Sequence, residues 1–247
     1  MGHASALLYA ILHLTQSGLT MDDLKAFRHV NSRTPGHPER HHALGIESTT
    51  GPLGQGIAQG VGLAIAESVL AAKFNRTGCQ VIDHFTYVLC SDGGLQEGIS
   101  YEATNLAGTL NLKKLIVLYD CNHVQLDGAT IHTCIENVAQ RFRAINWYYQ
   151  VVLDGNDIAA IDQAITNAKH SGRPSMITIR TTIGQGATHQ DSAQVHGQPL
   201  GTDLALVKKY YCYQQAPFTV DPAVRQHFQQ TVVARGNQQY QRWLKTS

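Results

Sequence analysis

The residues best suited to chemistry in this sequence are Asp92 and Asn122, each placed just after an apolar stretch. We predict that those stretches, residues 87–90 and 115–119, are β-strands. If the strands are parallel neighbours, both side chains leave one edge of the sheet, where open α/β sheets bind ligands. A carboxylate and an amide oxygen suit Mg²⁺, which completes its coordination with water and phosphate oxygens. Because an Asp-Gly pair alone more often marks a turn, the second strand end is what favours a metal site.

A histidine in a long loop is the second candidate for chemistry. Residues 31–50 show no periodicity and are interpreted as a loop, and loops of that length are usually functional or disordered. Prolines on both sides of His37 stiffen the backbone there, which indicates a side chain held in place. His41 and His42 lack such prolines, so we interpret them as surface residues.

A cluster of glycines leads into a predicted helix that ends near Phe74. Its members are Gly51, Gly54, Gly56, Gly60 and Gly62. Because glycine destabilises a helix interior, so many glycines need a reason. Two reasons are available: the backbone approaches a ligand at the helix start, or the helix packs tightly against another subunit.

The elements that would position these residues alternate between strand and helix. Further strands are predicted at 150–153 and 175–181, and helices at 4–17, 20–29, 97–110 and 157–170. The alternation predicts an α/β fold with a doubly wound, mostly parallel sheet covered by helices on both faces. Residues 202–247 are predicted to form a helical C-terminal extension, and we expect residues 1–247 to be a single domain.

Composition narrows the class of protein. With 247 residues, 43% of them hydrophobic, the chain can bury a full core, and a net charge of +1 without a basic stripe argues against nucleic acid. The five cysteines show no C-x-x-C pair, so neither a zinc site nor a disulfide framework is predicted, which fits a reducing cytoplasm. Cys90 is interpreted as a buried strand residue. The apolar run 57–74 carries Gln59, Glu67 and Lys73, so it is not expected to span a membrane.

Several segments in order carry a resemblance to a known family. Ser91-Asp92-Gly93 followed by a helix, a strand and Asn122 resembles the thiamine-diphosphate motif, in which the first position is usually Gly. The flanking segments resemble transketolases; they are Arg-Thr-Pro-Gly-His-Pro-Glu at 33–39, Thr-Thr-Gly-Pro-Leu-Gly-Gln-Gly at 49–56, Leu-Gln-Glu-Gly-Ile-Ser at 95–100 and Val-His-Gly at 195–197. Ser91 departs from the motif, and we expect it to crowd the diphosphate or to force a positive φ on a non-glycine residue, weakening cofactor binding.

The resemblance implies a set of site residues. It implies thiamine diphosphate as cofactor with Mg²⁺, or Ca²⁺ or Mn²⁺ in its place, the metal being held by Asp92, Asn122 and the backbone carbonyl of Val124. It implies catalytic contacts to substrate oxygens from His37 and His196. The implied cofactor-binding residues are His3, Gly51, Pro52, Leu53, Gly93, Asn122 and His196. Glu97 and Glu102 are implied in a carboxylate network at a dimer interface, although a solvated helix start would also explain them.

Two interpretations of function follow from the resemblance. In the first, the chain is the N-terminal diphosphate-binding part of a transketolase, which transfers a two-carbon ketol unit between a ketose phosphate and an aldose phosphate. The pyrimidine-binding and C-terminal domains of the family are absent from the sequence, so we expect a homo- or hetero-oligomer with a second polypeptide that carries the pyrimidine-binding domain, and no turnover by this chain alone. In the second, the chain is a non-catalytic, truncated transketolase-like fragment that binds cofactor or partner weakly.

Overall fold

Parallel strands rich in β-branched and aromatic residues form the main sheet of the chain. The structure is a computed structural model that describes residues 1–245. Its strands are β1 (Thr86–Ser91), β2 (Leu115–Cys121), β3 (Val124–Gln125), β4 (Gly128–Ala129), β5 (Tyr148–Val152) and β6 (Ser175–Arg180). The main sheet has the order β1-β2-β6-β5 with every neighbouring pair parallel, whereas β3 and β4 form a separate antiparallel hairpin.

The helices are mostly close to their predicted positions. They are α1 (Ser5–Leu14), α2 (Met21–Lys25), α3 (Gln55–Phe74), α4 (Asp92–Gln96), α5 (Gly98–Thr109), α6 (Val138–Ala144), α7 (Ile158–His170), α8 (Leu204–Tyr210), α9 (Pro222–Phe228) and α10 (Ala234–Leu244). Helix α6 and the β3–β4 hairpin were not predicted from the sequence, and the start of α4 was predicted to be a turn. The second helix was predicted to reach residue 29, but α2 ends at Lys25 and Arg28 has a left-handed φ of 64°.

Helices cover both faces of the sheet, as predicted. Alternate residues of a strand point to opposite faces, so the apolar residues of β2 pack against helices on both sides. Leu115, Val117 and Tyr119 of β2 belong to one core cluster, which also contains residues of α3, α5 and α6. Ile116 of β2 and Ile177 of β6 belong to the other, which contains residues of α7. The fold is therefore the predicted α/β fold.

The described residues divide into two compact units. The first comprises Met1, Pro52–Val69 and His84–Tyr213, and it contains the main sheet. The second comprises Gly2–Gly51, Leu70–Asp83 and the chain from Gln214 onward, with a core cluster built on Tyr9, Leu19, Leu44 and Ile46. That residues 1–247 act as a single domain remains a prediction. The predicted C-terminal extension is helical through α8, α9 and α10, and its last two residues, 246 and 247, lie outside the described residues.

Helix α3 is long and apolar enough, by length and composition, to cross a membrane. A core helix of a soluble protein meets the same two criteria. Ile57, Val61 and Ala64 of α3 are buried in the core cluster that contains Val88 of β1. This packing accounts for one face of α3, whereas Leu63, Val69 and Leu70 of the same helix are exposed.

Candidate functional site

Asp92 lies where β1 ends and α4 begins, and its side chain is 5% exposed. The Tyr119 hydroxyl donates a hydrogen bond to Asp92 Oδ1 over 2.6 Å. The backbone N–H groups of Asn122 and His123 donate to Oδ2 over 3.3 Å and 3.2 Å. The carboxylate at the end of β1 is thus held by the end of β2, as expected for adjoining parallel strands.

The partners of Asp92 carry no positive charge. Within residues 1–245, none of the ion pairs involves Asp92. A buried carboxylate is costly unless it is paired or coordinates a metal, and neutral donors compensate only in part. Burial and then the charge of Asp92 raise the pKa of the Tyr119 hydroxyl, which therefore stays a protonated donor at neutral pH. The geometry leaves Asp92 suited to a cation.

The Asn122 side chain is fixed in the same turn. The backbone N–H of Val124 donates to Asn122 Oδ1 over 3.0 Å. Since an amide oxygen has two lone pairs, one remains for a further partner. The structure thus brings Asp92, the Asn122 backbone and Val124 together through hydrogen bonds. Their roles as metal ligands remain predictions.

The backbone at Gly93 lies close to the segment before α3. A β-carbon on Gly93 would lie 3.1 Å from Leu53 Cδ1 and 3.8 Å from Gln125 Nε2, so a side chain there would narrow the space beside Asp92. Pro52 and Leu53 are both exposed in the first unit, available to a ligand.

Two glycines of the cluster pack within this chain, an explanation not anticipated from the sequence. Gly54 has a φ of 78°, and a β-carbon on it would lie 2.7 Å from Glu97 Cβ and 2.8 Å from Ile99 Cγ2. A β-carbon on Gly60 would collide with Val88 of β1. Contacts with α5 and β1 therefore explain these two positions without a second subunit.

The expectation of a positive φ at Ser91 is wrong. Ser91 is the residue before α4 and has a φ of −129° and a ψ of 171°, ordinary extended backbone. Any residue adopts this conformation without strain. Serine in place of the usual glycine therefore causes no backbone strain at this position. That the Ser91 side chain crowds the diphosphate stays a prediction.

His196 is half-buried and follows a short 3₁₀ helix, Ala193–Val195. Gly184, in the loop after β6, has a φ of 64°, and a β-carbon on it would lie 2.7 Å from Val195 Cγ2. The loop at the carboxyl end of β6 therefore packs on the residue before His196. The predicted contacts of His196 to diphosphate and substrate remain untested.

The other predicted histidines lie together in the second unit. The rings of His3 and His37 make an edge contact with centroids 5.1 Å apart, and both residues are exposed. A β-carbon on Gly51 would lie 3.2 Å from His37 Cγ, and one on Gly2 would lie 3.0 Å from His37 Cδ2. These glycines leave room for the imidazole of His37.

Hydrogen bonds to the preceding residues hold the His37 loop, which supports the expectation of a fixed side chain. Ser5 Oγ donates to the carbonyl of Gly36 over 2.7 Å, and the Tyr9 hydroxyl donates to the carbonyl of Pro35 over 2.9 Å. Thr34 is fully buried, and its Oγ1 donates to the carbonyl of Asp23 over 2.7 Å. Three consecutive residues before His37 are therefore anchored.

Replacing Thr34 with valine should loosen this loop. The substitution keeps the shape but leaves the Asp23 carbonyl without its donor, so we expect a loss of about 1–3 kcal/mol in unfolding free energy. Urea unfolding followed by circular dichroism measures it. Thr219→Val removes a similar but exposed bond to Ala216 and should change stability by less than about 0.5 kcal/mol. Equal losses in the two variants would contradict the anchoring role of Thr34.

Glu97 and Glu102 are exposed at the start of α5. Glu97 is the residue before the helix, and its side chain makes no capping hydrogen bond. Their exposure is compatible with both the interface network and the solvated helix start, so the interface role remains a prediction.

Sequence reasoning missed several residues at the carboxyl edge of the sheet. Asp92 borders a cleft of about 570 Å³ that is also lined by Tyr119, Cys121, His123 and Arg180. The alternation of side chains along β2 could have indicated these residues, because it places Tyr119 and Cys121 on one face of the strand.

Burial raises the pKa of the Cys121 thiol. Burial also raises the pKa of the Cys90 thiol, and Cys90 is 3% exposed, as expected for a buried strand residue.

Known proteins resemble this chain over its whole length. Residues 1–247 match the family described as transketolase, thiamine diphosphate binding domain. The transketolase of Streptococcus pyogenes is 48% identical over 244 residues, which are 98% of this chain and 34% of that protein. The structure of transketolase from Leishmania mexicana has a TM-score of 0.95 and 46% identity, covering 99% of this chain and 37% of that chain. Transketolase from Pichia stipitis in complex with sedoheptulose 7-phosphate has a TM-score of 0.95 and 40% identity, with 99% and 37% covered.

The chain spans about a third of the length of the curated relatives it matches, from 34% to 38%. The match nevertheless includes the strand end at Asp92, the turn at Asn122 and the loop at His37. Because the family covers residues 1–247 and the parallel sheet agrees with the solved structures, the chain belongs to the transketolase family as a thiamine-diphosphate-binding domain.

Proposed function

We propose that this chain binds the diphosphate end of thiamine diphosphate through Mg²⁺ and serves as the N-terminal part of a transketolase. One observation carries the proposal: Asp92 is a buried carboxylate at the carboxyl edge of a parallel sheet, held only by neutral donors. A bound cation would offset the free-energy cost of burying the charge of this carboxylate.

The donor set fits Mg²⁺. The Asp92 carboxylate, the free lone pair of Asn122 Oδ1 and the carbonyl of Val124 are hard oxygen donors, which Mg²⁺ prefers and which Ca²⁺ and Mn²⁺ also accept. Gly93 leaves space beside Asp92 that a side chain would narrow. These residues would hold the metal and its diphosphate, with Pro52, Leu53, His196, His3 and Gly51 as further cofactor contacts.

The chain itself would contribute binding and orientation to the reaction. Thiamine diphosphate, when bound, supplies the carbanion chemistry by which a two-carbon ketol unit leaves a ketose. His37 and His196 would donate hydrogen bonds to substrate oxygens on which negative charge develops, a role that a prepositioned donor performs well. The anchored loop before His37 supports that role, because it fixes the backbone from which the side chain extends.

The proposed activity also involves a pyrimidine-binding domain, which we propose is carried by a second polypeptide; the chain spans about a third of the length of its relatives. Sugar phosphates are the proposed substrates, and the Pichia stipitis transketolase is in complex with one, sedoheptulose 7-phosphate. We propose an oligomer in which Glu97 and Glu102 lie at an interface. A cytoplasmic location is supported by five cysteines that are all free thiols.

Calorimetric titration of thiamine diphosphate with and without Mg²⁺ tests the binding proposal. We expect heat of binding with Mg²⁺ and little or none with a chelator, because the diphosphate and Asp92 repel each other without a cation. Binding that is equally strong in chelator would contradict a metal-bridged site.

Turnover separates the two interpretations of the sequence. The chain is mixed with a pyrimidine-binding domain, thiamine diphosphate, Mg²⁺, xylulose 5-phosphate and ribose 5-phosphate. Formation of sedoheptulose 7-phosphate in the mixture, with none from either polypeptide alone, supports the split enzyme. No product, despite cofactor binding, supports the non-catalytic fragment.

A further inference from the structure

Three side chains of different chemistry converge at the Asp92 edge of the sheet. The ligand atoms of Asp92, Cys121 and His123 all lie within 4.8 Å of one another. Cys121 Sγ and His123 Nε2 are 3.8 Å apart. The thiol and the imidazole take no part in the oxygen-donor site described above, although Asp92 does.

The local fold explains how the three groups meet. Cys121 is the last residue of β2 and is 4% exposed, on the same face of the strand as Tyr119. His123 follows with a left-handed φ of 61°, a conformation in which histidine is enriched among non-glycine residues. Its backbone N–H donates to Asp92 Oδ2, so the turn that binds the carboxylate also sets the imidazole beside the thiol.

The distance between the thiol and the imidazole agrees with tetrahedral zinc. Bond lengths of about 2.3 Å to sulfur and about 2.0 Å to nitrogen place those two atoms about 3.6 Å apart at a tetrahedral angle. The distance of 3.8 Å between Cys121 Sγ and His123 Nε2 needs only a small adjustment, which the exposed His123 side chain can make. A thiolate and a carboxylate together would neutralise a divalent cation, and Arg180, whose Nη1 donates to Cys121 Sγ over 3.3 Å, adds a positive charge beside the site.

We propose that Asp92, Cys121 and His123 form a three-ligand site for a borderline-soft divalent cation such as Zn²⁺, with a fourth position open to water or a phosphate oxygen. Thiolate and imidazole ligands select this class of metal over Mg²⁺, which favours oxygen. Since both sites use Asp92, Zn²⁺ excludes Mg²⁺ from the carboxylate; this last point rests on the proposed function.

Cobalt titration of the full chain tests the site, because Co²⁺ substitutes for Zn²⁺ and its bond to a thiolate gives a near-ultraviolet charge-transfer band. We expect the band to saturate at one Co²⁺ per chain and to disappear when Zn²⁺ is added. Cys121→Ser should abolish the band and weaken Zn²⁺ binding at least ~10-fold, the low end of the loss for altering even an outer-shell partner.

Two further variants keep the test decisive. His123→Gln changes an exposed side chain, so the fold should persist while Zn²⁺ affinity falls at least ~10-fold. Cys134→Ser removes a thiol that lines the same cleft but is outside the cluster, and it should keep the band. No band in the unaltered chain, or a band that survives Cys121→Ser and is lost in Cys134→Ser, would overturn the proposal.

The shared carboxylate has its own test. Zn²⁺ added before thiamine diphosphate should reduce the heat of Mg²⁺-dependent cofactor binding in the unaltered chain, and His123→Gln should restore it. Unchanged cofactor binding with Zn²⁺ present would overturn the mutual exclusion. The cobalt titration contains no thiamine diphosphate, so a chain that binds Co²⁺ but no cofactor would retain the zinc site and lose the proposed function.

Discussion

Asp92→Asn is expected to weaken Mg²⁺-dependent binding of thiamine diphosphate at least ~100-fold. Removing one partner of a buried charge pair costs about 3–5 kcal/mol, and each ~1.4 kcal/mol is a factor of ten in affinity. Asparagine keeps the size of the side chain, so the loss reports the missing charge and not a cavity. The dissociation constant from calorimetry, in buffers that contain Mg²⁺ as the sole divalent cation, measures the effect.

Asp154→Asn is the matched control. Asp154 also begins an Asp-Gly pair after a strand, β5, but it is exposed and its Oδ1 accepts from the backbone N–H of Asn156 over 2.9 Å. That arrangement is an ordinary turn. The Asp154 variant should bind the cofactor within about twofold of the unaltered chain. Similar dissociation constants for the two variants would remove the reason for placing the metal at Asp92.

Gly60→Ala and Gly62→Ala, two residues apart in α3, are expected to change stability in opposite directions. The added methyl at Gly60 collides with Val88 of β1, and overpacking of this kind costs about 1–3 kcal/mol. A β-carbon on Gly62 meets nothing within 4 Å, so alanine should stabilise the helix by about 0.5–1 kcal/mol. The urea midpoints of the two variants, at equal slope, measure the difference.

Val88→Ala combined with Gly60→Ala shows whether the collision is the cause. The valine truncation alone should destabilise the core, but in the Gly60→Ala background it also creates room for the new methyl. The double variant should therefore be more stable than the sum of the two single losses predicts, by about 0.5–3 kcal/mol. Additive losses would mean that the cost at Gly60 arises elsewhere.

Local patterns in the sequence were enough to predict most of the fold. Apolar stretches predicted the strands now seen as β1 and β2, and they pair in parallel with Cys90 opposite Tyr119. Capping residues are local signals of the same kind: Thr20 and Asp23 form a capping box, and the Asp157 side chain accepts from the backbone N–H of Ala160. Such signals act over a few residues, so they can be read without knowledge of distant contacts.

Short elements between β2 and β5 were missed because their stability comes from packing. Helix α6 has seven residues, too few for a clear periodicity, yet it buries Phe142 completely against Trp147 with ring centroids 5.1 Å apart. The β3–β4 hairpin has two residues in each strand. A capping asparagine at Asn137, whose side chain accepts from the backbone N–H of Gln140, was the one local signal for α6.

The sequence by itself determined the type of fold, the family, and that acidic residues follow the ends of strands. The Asp-Gly pair alone does not distinguish Asp92 from Asp154, since both begin such a pair after an apolar strand; the resemblance to the thiamine-diphosphate motif was what favoured Asp92. The strand order β1-β2-β6-β5 decides between them, because β1 adjoins β2 whereas β5 lies at the opposite edge. Only that pairing surrounds Asp92 with the donors of Tyr119, Asn122 and His123, and brings Cys121 within reach of the same carboxylate.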